Sequence, residues 1–200
     1  GNGNTVVTHN PAADFGNKLP ELFDCILVDA PCSGEGMFRK DEGAIAEWSM
    51  KNVKECAERQ CDILDDVWDA LKPGGILIYS TCTFNREENE KNAQWIAEEL
   101  GAEILPIAHD PQWGITEGKP GYHFYPHKTK GEGFYLCAFR KSGVAKGAFR
   151  IPKQKNPVSE TVEFKDIMQS WLLHPDQWTI RQQDRFVVAY PAKYKQLIEF

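Results

Sequence analysis

The sequence predicts an α/β domain followed by the start of a small α+β region, and three observations carry that expectation. Phe23-Asp24-Cys25-Ile26-Leu27-Val28-Asp29 is a near-continuous apolar run, the pattern of a strand buried in a parallel sheet. Residues 50–71 place Val53, Ala57, Cys61, Leu64, Val67, Trp68 and Leu71 mostly three or four apart, as on one face of an amphipathic helix. That helix meets Lys72-Pro73-Gly74-Gly75, a stop signal, and runs straight into a second strand at Ile76-Leu77-Ile78-Tyr79. Strand, helix and strand in this order indicate a largely parallel sheet.

The remaining elements are read from the same signals. Thr5-Val6-Val7-Thr8 reads as a short strand, and Glu87–Leu100 as a second helix ended by Gly101. Strands are expected near Glu103–Ile107 and Gly133–Phe139. From Ser142 to Ser159 the composition turns to Gly, Lys, Pro and Ser, a linker between a first region over 1–141 and a second over 160–200. In the second region Phe164–Leu173 reads as helix, and Trp178–Arg181 with Arg185–Ala189 as a hairpin around Gln182-Gln183-Asp184. The chain stops at Leu197-Ile198-Glu199-Phe200, inside an apolar helical pattern, as a cut chain would.

Composition limits the function classes. Six Trp, eleven Phe and six Tyr are enough for a packed core. No run approaches the ~20 apolar residues of a membrane-spanning helix. Gly1-Asn2-Gly3-Asn4 lacks the regions of a signal peptide, so a cytoplasmic location is expected. The six cysteines form no CxxC pair and no His pair has zinc-finger spacing, so neither structural zinc nor a disulfide framework is expected. The net charge is -6, yet between Gly121 and Glu160 eight basic residues face only Glu132 and Glu160. Such a stretch is either a phosphate footprint or a solvated linker.

Two strand ends concentrate the chemistry. The first strand runs into Asp29-Ala30-Pro31-Cys32-Ser33-Gly34-Glu35-Gly36, the second into Ser80-Thr81-Cys82-Thr83. In open α/β sheets ligands bind beyond the carboxyl ends of strands, which makes Cys32 and Cys82 candidate site residues on neighbouring ends. A single cysteine is more often a small buried apolar group; two at adjacent strand ends, one beside an Asp and a Pro, point to thiol chemistry. Asp29 is a candidate binding carboxylate, against the plainer role of capping the turn. Pro31 would stiffen that turn, and Gly34 and Gly36 would let the backbone approach a ligand. Tyr122 to His127 form an aromatic cluster able to stack unpaired bases or to pack as core. Trp48, Trp68 and Trp95 sit in or beside helices and read as structural.

Val28 to Lys40, containing Asp29-Ala30-Pro31-Cys32-Ser33-Gly34, resembles motif IV of the Sun-type (NOP/SUN) RNA cytosine-5 methyltransferases. Lys72-Pro73-Gly74-Gly75 through Ser80-Thr81-Cys82-Thr83, with Glu87-Glu88-Asn89-Glu90, resembles their motif VI region. The likeness covers residues 5–140 and is strongest to the RsmF-like bacterial ribosomal RNA subgroup. It implies a Rossmann-like S-adenosylmethionine (SAM)-dependent methyltransferase sheet of order 3-2-1-4-5-7-6, of which this sequence carries the later strands only. Thr5–Thr8 would then be a third strand without its partner, while the later four strands still pair contiguously. Residues 160–200 would begin a C-terminal RNA-binding region.

The resemblance implies methylation of cytosine C5 in RNA, specifically 16S (small-subunit) ribosomal RNA, with SAM as cofactor. No metal and no membrane are implied, and a monomer is expected. Cys82 would be the nucleophile and Cys32 would serve product release, assisting removal of the C5 proton. Asp29 would contact the cytosine edge or line the SAM pocket, with Pro31 beside it on the substrate side. Arg39 and Lys40 would hold RNA phosphates, unless they are a solvated surface pair. The chemistry needs a thiol because cytosine C5 is too weak a nucleophile until sulfur adds at C6 and makes the ring enamine-like. The thiolate is the reactive form, so Cys82 needs a depressed pKa or activation by substrate. The target base must be unpaired or flipped.

Nothing in the sequence resembles the family's first motif, a Gly-rich SAM loop, nor the acidic residue that closes its second strand. Where many relatives carry an Asp near position 11, the sequence has His9-Asn10-Pro11; Asn10 is the candidate adenine contact, with Asp14 a more distant alternative. These 200 residues alone are therefore expected to bind SAM poorly. Other readings are a non-catalytic RNA-binding fragment or scaffold, and a DNA cytosine-5 methyltransferase, whose expected Glu-Asn-Val string is missing. A cysteine hydrolase using His109, His123 or His127 lacks a nucleophile-elbow or caspase-type context.

Overall fold

The computed structural model of the chain describes residues 5–144, 174–183 and 186–198. The chain divides into two units, residues 10–149 and residues 1–9 with 150–200. In the first unit, helix α1 (Ala12–Lys18) precedes strand β1 (Phe23–Asp29), and helices α2 (Glu42–Glu47) and α3 (Met50–Trp68) lead to strand β2 (Leu71–Thr81). Helix α4 (Asn92–Glu99) and strands β3 (Ala102–Leu105), β4 (Thr116–Glu117), β5 (Tyr122–Phe124) and β6 (Phe134–Lys141) come next in the chain.

Ser49 opens α3 by accepting the Asn52 N–H at 3.1 Å, which satisfies one of the helix's orphan donors. The buried positions Val53, Cys56, Gln60 and Leu64 step three, four and four residues along one face. Gln60 is polar yet fully buried, because its amide donates to the Pro31 carbonyl and to Glu88. At the other end Lys141 donates to the carbonyls of Trp68 at 2.7 Å and Leu71 at 3.0 Å, and its ammonium lies 5.0 Å from the Trp68 ring. The helix therefore ends at Trp68, and Leu71 already belongs to β2.

The sheet runs β1-β2-β6-β5-β4, with β3 pairing the stretch of β6 that β5 leaves free. The four later strands are thus contiguous, as expected, in the order β1, β2, β6, β3. The largely parallel arrangement is corrected to a mixed one: among the described pairs only β1 with β2 is parallel. A parallel pair needs a crossover of a dozen residues or more, which α3 with its 19 residues supplies; the loops joining β4, β5 and β6 permit only antiparallel pairing.

Three further expectations are corrected. Thr5–Thr8 lie in no strand, since the partner that would supply their ladder is missing from the sheet. β1 is not buried throughout: it is the sheet edge, and Leu27 is 63% exposed. The helix over Glu87–Leu100 begins as a π turn, Glu87–Lys91, before continuing as α4.

The core lies between β2, β6 and helices α3 and α4, where Leu64, Leu71, Leu77, Tyr79, Ile96 and Phe139 are fully buried. In the second unit, strands β7 (Trp178–Gln183) and β8 (Phe186–Pro191) form the antiparallel hairpin that the sequence predicts, each longer than expected, and a short helix α5 (Lys195–Ile198) comes after them. The linker beyond Val144 and the helix over Phe164–Leu173 lie outside the described residues. No described helix is long and apolar enough to cross a membrane.

Candidate active site

The parallel register sets Asp29 against Ser80, and the Ala30 N–H donates to the Ser80 carbonyl at 2.9 Å as the last rung. Both chains leave the sheet from there, side by side. Cys32 and Cys82 come at once, half-buried free thiols with their Sγ atoms 3.0 Å apart. The structure thus brings together the two cysteines that the sequence singles out.

At this distance the pair shares one hydrogen bond. The bond from Cys32 favours the thiolate of Cys82 and lowers its pKa to about 7, with help from a backbone N–H. Burial and the negative charges of Asp29 and Glu88 oppose that shift. The same neighbour, burial and the Cys82 charge push the Cys32 thiol up. Cys82 is therefore the sulfur that ionises first, and Cys32 is the one that keeps its proton.

Residues that sequence reasoning gave no role hold these two loops. Glu35 Oε2 accepts the Thr83 hydroxyl at 2.7 Å and the backbone N–H groups of Phe84 at 2.6 Å and Asn85 at 2.9 Å. Its Oε1 accepts the Trp48 indole at 3.0 Å. Glu88, 0% exposed, accepts the Ser33 N–H at 3.0 Å, the Gln60 amide at 2.8 Å and the Asn85 amide at 2.7 Å. Asn89 accepts from Thr81 at 2.6 Å and donates to the Thr83 carbonyl at 3.0 Å. A signal was present in the unbroken polar run Glu87-Glu88-Asn89-Glu90, which opens a helix that must pack against the core.

On the other side of β1 lies an open cleft of about 470 Å³. Phe15, Ile26, Val28, Ile63 and Val67 contribute apolar wall, and Asn10, Asp29 and Pro31 also line it. Asn10 donates its amide to Asp14 at 3.0 Å, so the carboxylate that seemed distant along the chain is in contact with it. That bond orients the carboxamide, using one of its two N–H groups and leaving its oxygen as the acceptor. Asp29 accepts the Ser80 hydroxyl at 3.0 Å, which ties it to the neighbouring strand instead of to its own turn. The Pro31 carbonyl accepts the Gln60 amide at 2.9 Å. An apolar wall with one carboxamide oxygen and one carboxylate suits a flat heterocycle bearing an amine.

Arg39 and Lys40 both reach Glu132. Arg39 donates to its carboxylate at 3.2 Å and to the Gly131 carbonyl at 2.8 Å, and Lys40 lies 3.4 Å from the other oxygen. The two cations are exposed, but one carboxylate already offsets half their charge. Gly34 does adopt a left-handed conformation, φ 75°. Gly36 approaches protein and not ligand: its N–H donates to the Cys82 carbonyl at 2.8 Å, and an added Cβ would lie 2.6 Å from that oxygen. Within the basic stretch Lys141 is committed to capping α3, and Arg140 faces Glu103 at 4.0 Å.

The aromatic cluster divides between packing and exposure. His123 is buried against Glu90 at 2.8 Å and stacks on Tyr125 with ring centroids 5.0 Å apart, while His127 is exposed and stacks on Tyr125 at 5.6 Å. No described hydrogen bond joins a histidine to Cys32 or Cys82.

Residues 1–140 match the family model described as 16S rRNA methyltransferase RsmB/F. The chain is 35% identical over 214 residues to the ribosomal RNA small subunit methyltransferase F of Aliivibrio fischeri, covering 99% of this chain and 44% of that protein. It is 36% identical over 215 residues to the protein of the same name in Salmonella schwarzengrund, with the same coverage of 99% and 44%. Among solved structures, a methyltransferase homologue from Pyrococcus horikoshii superposes with a TM-score of 0.55 at 31% identity, over 68% of this chain and 44% of that one. NSun6 from Pyrococcus horikoshii, solved with SFG, gives 0.55 at 26% identity, over 70% and 35%. The chain thus spans less than half the length of the curated relatives it matches, 44%.

Proposed function

The chain belongs to the 16S rRNA methyltransferase RsmB/F family, and on that premise we propose that it supplies the two-thiol site with which its full-length protein methylates cytosine C5 in small-subunit ribosomal RNA. The observation that carries this reading is the 3.0 Å contact between Cys32 and Cys82 at two adjacent strand ends.

In this reading the Cys82 thiolate, held near neutrality by the Cys32 S–H, adds to C6 of an unpaired cytosine. The electrons of the C5–C6 double bond move toward C5, which becomes nucleophilic. Asp29, exposed at the end of β1, contacts the cytosine edge, its carboxylate accepting from the N4 amine. After C5 has gained its methyl group it must lose its proton; the C5–C6 bond re-forms and the C6–S bond breaks. Cys32 serves this release: its S–H lies against the sulfur that departs as a thiolate and stabilises it, while the C5 proton passes to a solvent water.

S-adenosylmethionine supplies the electrophilic methyl group when bound. The cleft beside β1 fits one flank of it: apolar wall for the adenine ring, the Asn10 oxygen for its amine, and Asp29 between the cleft and Cys32. The relative solved with SFG, a SAM analogue, supports this choice of cofactor. Arg39 and Lys40 are placed to meet phosphate by exchanging Glu132 for it, and residues 160–200 begin an RNA-binding region.

The test is covalent trapping. Full-length protein incubated with SAM and 5-fluorocytosine-containing 16S ribosomal RNA is expected to form a protein–RNA adduct that resists denaturation, because fluorine at C5 cannot leave as a proton. Cys82→Ala should abolish the adduct, and Cys32→Ala should preserve it. An adduct that persists without Cys82 would sink the reading.

A further inference from the structure

We propose that Glu35 and Glu88 are positioning residues for this reaction: each carboxylate, carried by the loop of one cysteine, grips the backbone beside the other, and together they set the sulfur–sulfur contact. The proposal rests on the reading of Cys82 as nucleophile.

The sheet itself cannot fix the two sulfurs. The last rung between β1 and β2 joins Ala30 to Ser80, β2 pairs with β6 as far as Thr81, and both cysteines lie beyond. Past that rung the two loops hold each other through a reciprocal brace. Glu35, three residues after Cys32, holds the N–H groups of Phe84 and Asn85, just after Cys82. Glu88, six residues after Cys82, holds the N–H of Ser33, just after Cys32. The Asn85 amide links the two carboxylates, donating to Glu88 at 2.7 Å and to Glu35 at 3.4 Å. The Gly36 N–H adds a direct strut to the Cys82 carbonyl at 2.8 Å.

The chemistry of the donors explains why both positions carry a carboxylate. The oxygens of Glu35 meet the Thr83 hydroxyl, two backbone N–H groups and the Trp48 indole; those of Glu88 meet one backbone N–H and two side-chain amides. A carboxamide at either position would turn an N–H toward other N–H groups and leave buried donors unpaired. Loosening the brace by a few tenths of an ångström would weaken the S–H···S bond that favours the Cys82 thiolate. The charges acting on Cys82 are those of Asp29 and Glu88, so Glu35 influences it through position.

The deciding measurement is the pH profile of iodoacetamide alkylation at Cys82, read by peptide mass spectrometry on the folded full-length protein. In Glu35→Gln the midpoint is expected to rise by about one pH unit or more, which slows alkylation at pH 7 roughly fivefold. A merely structural role would lower the melting temperature and leave the profile in place, and that outcome overturns the proposal. Should Glu35→Gln fail to fold, Thr83→Val removes one donor at constant shape and is judged by the same criterion. Because alkylation needs no RNA, the parent reading is judged separately: an unbroken brace with no 5-fluorocytosine adduct sinks that reading alone, and an adduct with an unmoved Glu35→Gln profile sinks the brace alone.

Discussion

The sulfur of Cys32 lies 3.0 Å from that of Cys82 across 50 residues of chain, close enough for one S–H···S hydrogen bond. The hydrogen bond from Cys32 lowers the Cys82 pKa to about 7, while the same bond and burial push the Cys32 thiol well above its ordinary value. Since the thiolate is the nucleophile, alkylation of Cys82 is expected to climb as pH rises through about 7 and to level off above it. Cys32→Ala removes the S–H donor, so the climb should move toward the ordinary value near 9 and the rate at pH 7 should fall. A stopped-time alkylation series over pH 5 to 10, roughly, with Cys82 followed by mass, checks the direction.

Gly36→Ala should wedge the two loops apart, because its Cβ would sit 2.6 Å from the Cys82 carbonyl oxygen and 3.3 Å from two further backbone carbonyls. Backbone cannot yield as a side chain end can, so a loss of about 1–3 kcal/mol in urea unfolding is expected. Adduct formation with 5-fluorocytosine RNA should slow in the same variant.

The buried pair of His123 and Glu90, 2.8 Å apart, leaves His123 Nδ1 and Glu90 Oε2 without partners. His123→Leu would strand the carboxylate and is expected to destabilise by about 3–5 kcal/mol. Replacing both residues by leucine removes both of these unsatisfied atoms, so the double variant should recover most of that loss. A double-mutant cycle in chemical denaturation reads this directly.

Lys141→Ala should lower stability by about 1–3 kcal/mol through the uncapped carbonyls of Trp68 and Leu71. RNA affinity should change less than in Arg39→Ala, although both remove one positive charge. Thermal melts and filter binding at fixed salt separate the two effects.

Much of the site was legible because strand ends are legible. The apolar run to Asp29 and the Gly-Gly stop before Ile76 locate two strands, and the helix between them makes those strands parallel neighbours, so the loops of Cys32 and Cys82 leave the sheet side by side. The groups around them were not legible. Whether Glu35 reaches Phe84, or Lys141 reaches Trp68, depends on loop paths and on partners far along the chain that no periodicity encodes. The strand expected at Thr5–Thr8 shows the converse: β-branched residues favour a strand only where a neighbour supplies its hydrogen bonds. The sequence points to Gly36 as a place where the backbone approaches a ligand; in the structure the approaching group is the protein's own Cys82 carbonyl.

The π turn at Glu87–Lys91 makes this region sensitive to length in a way that single substitutions do not reveal. Its wider coil lets Glu88, Asn89 and Glu90 face inward in succession, toward Ser33, Thr81 and His123. Excising one residue would let the coil tighten to ordinary α geometry, at about 100° per residue, and three successive residues could then no longer all face inward. An in-frame codon loss at any of these five positions is therefore expected to break at least one of the three inward contacts, which a deletion scan would read as lost stability.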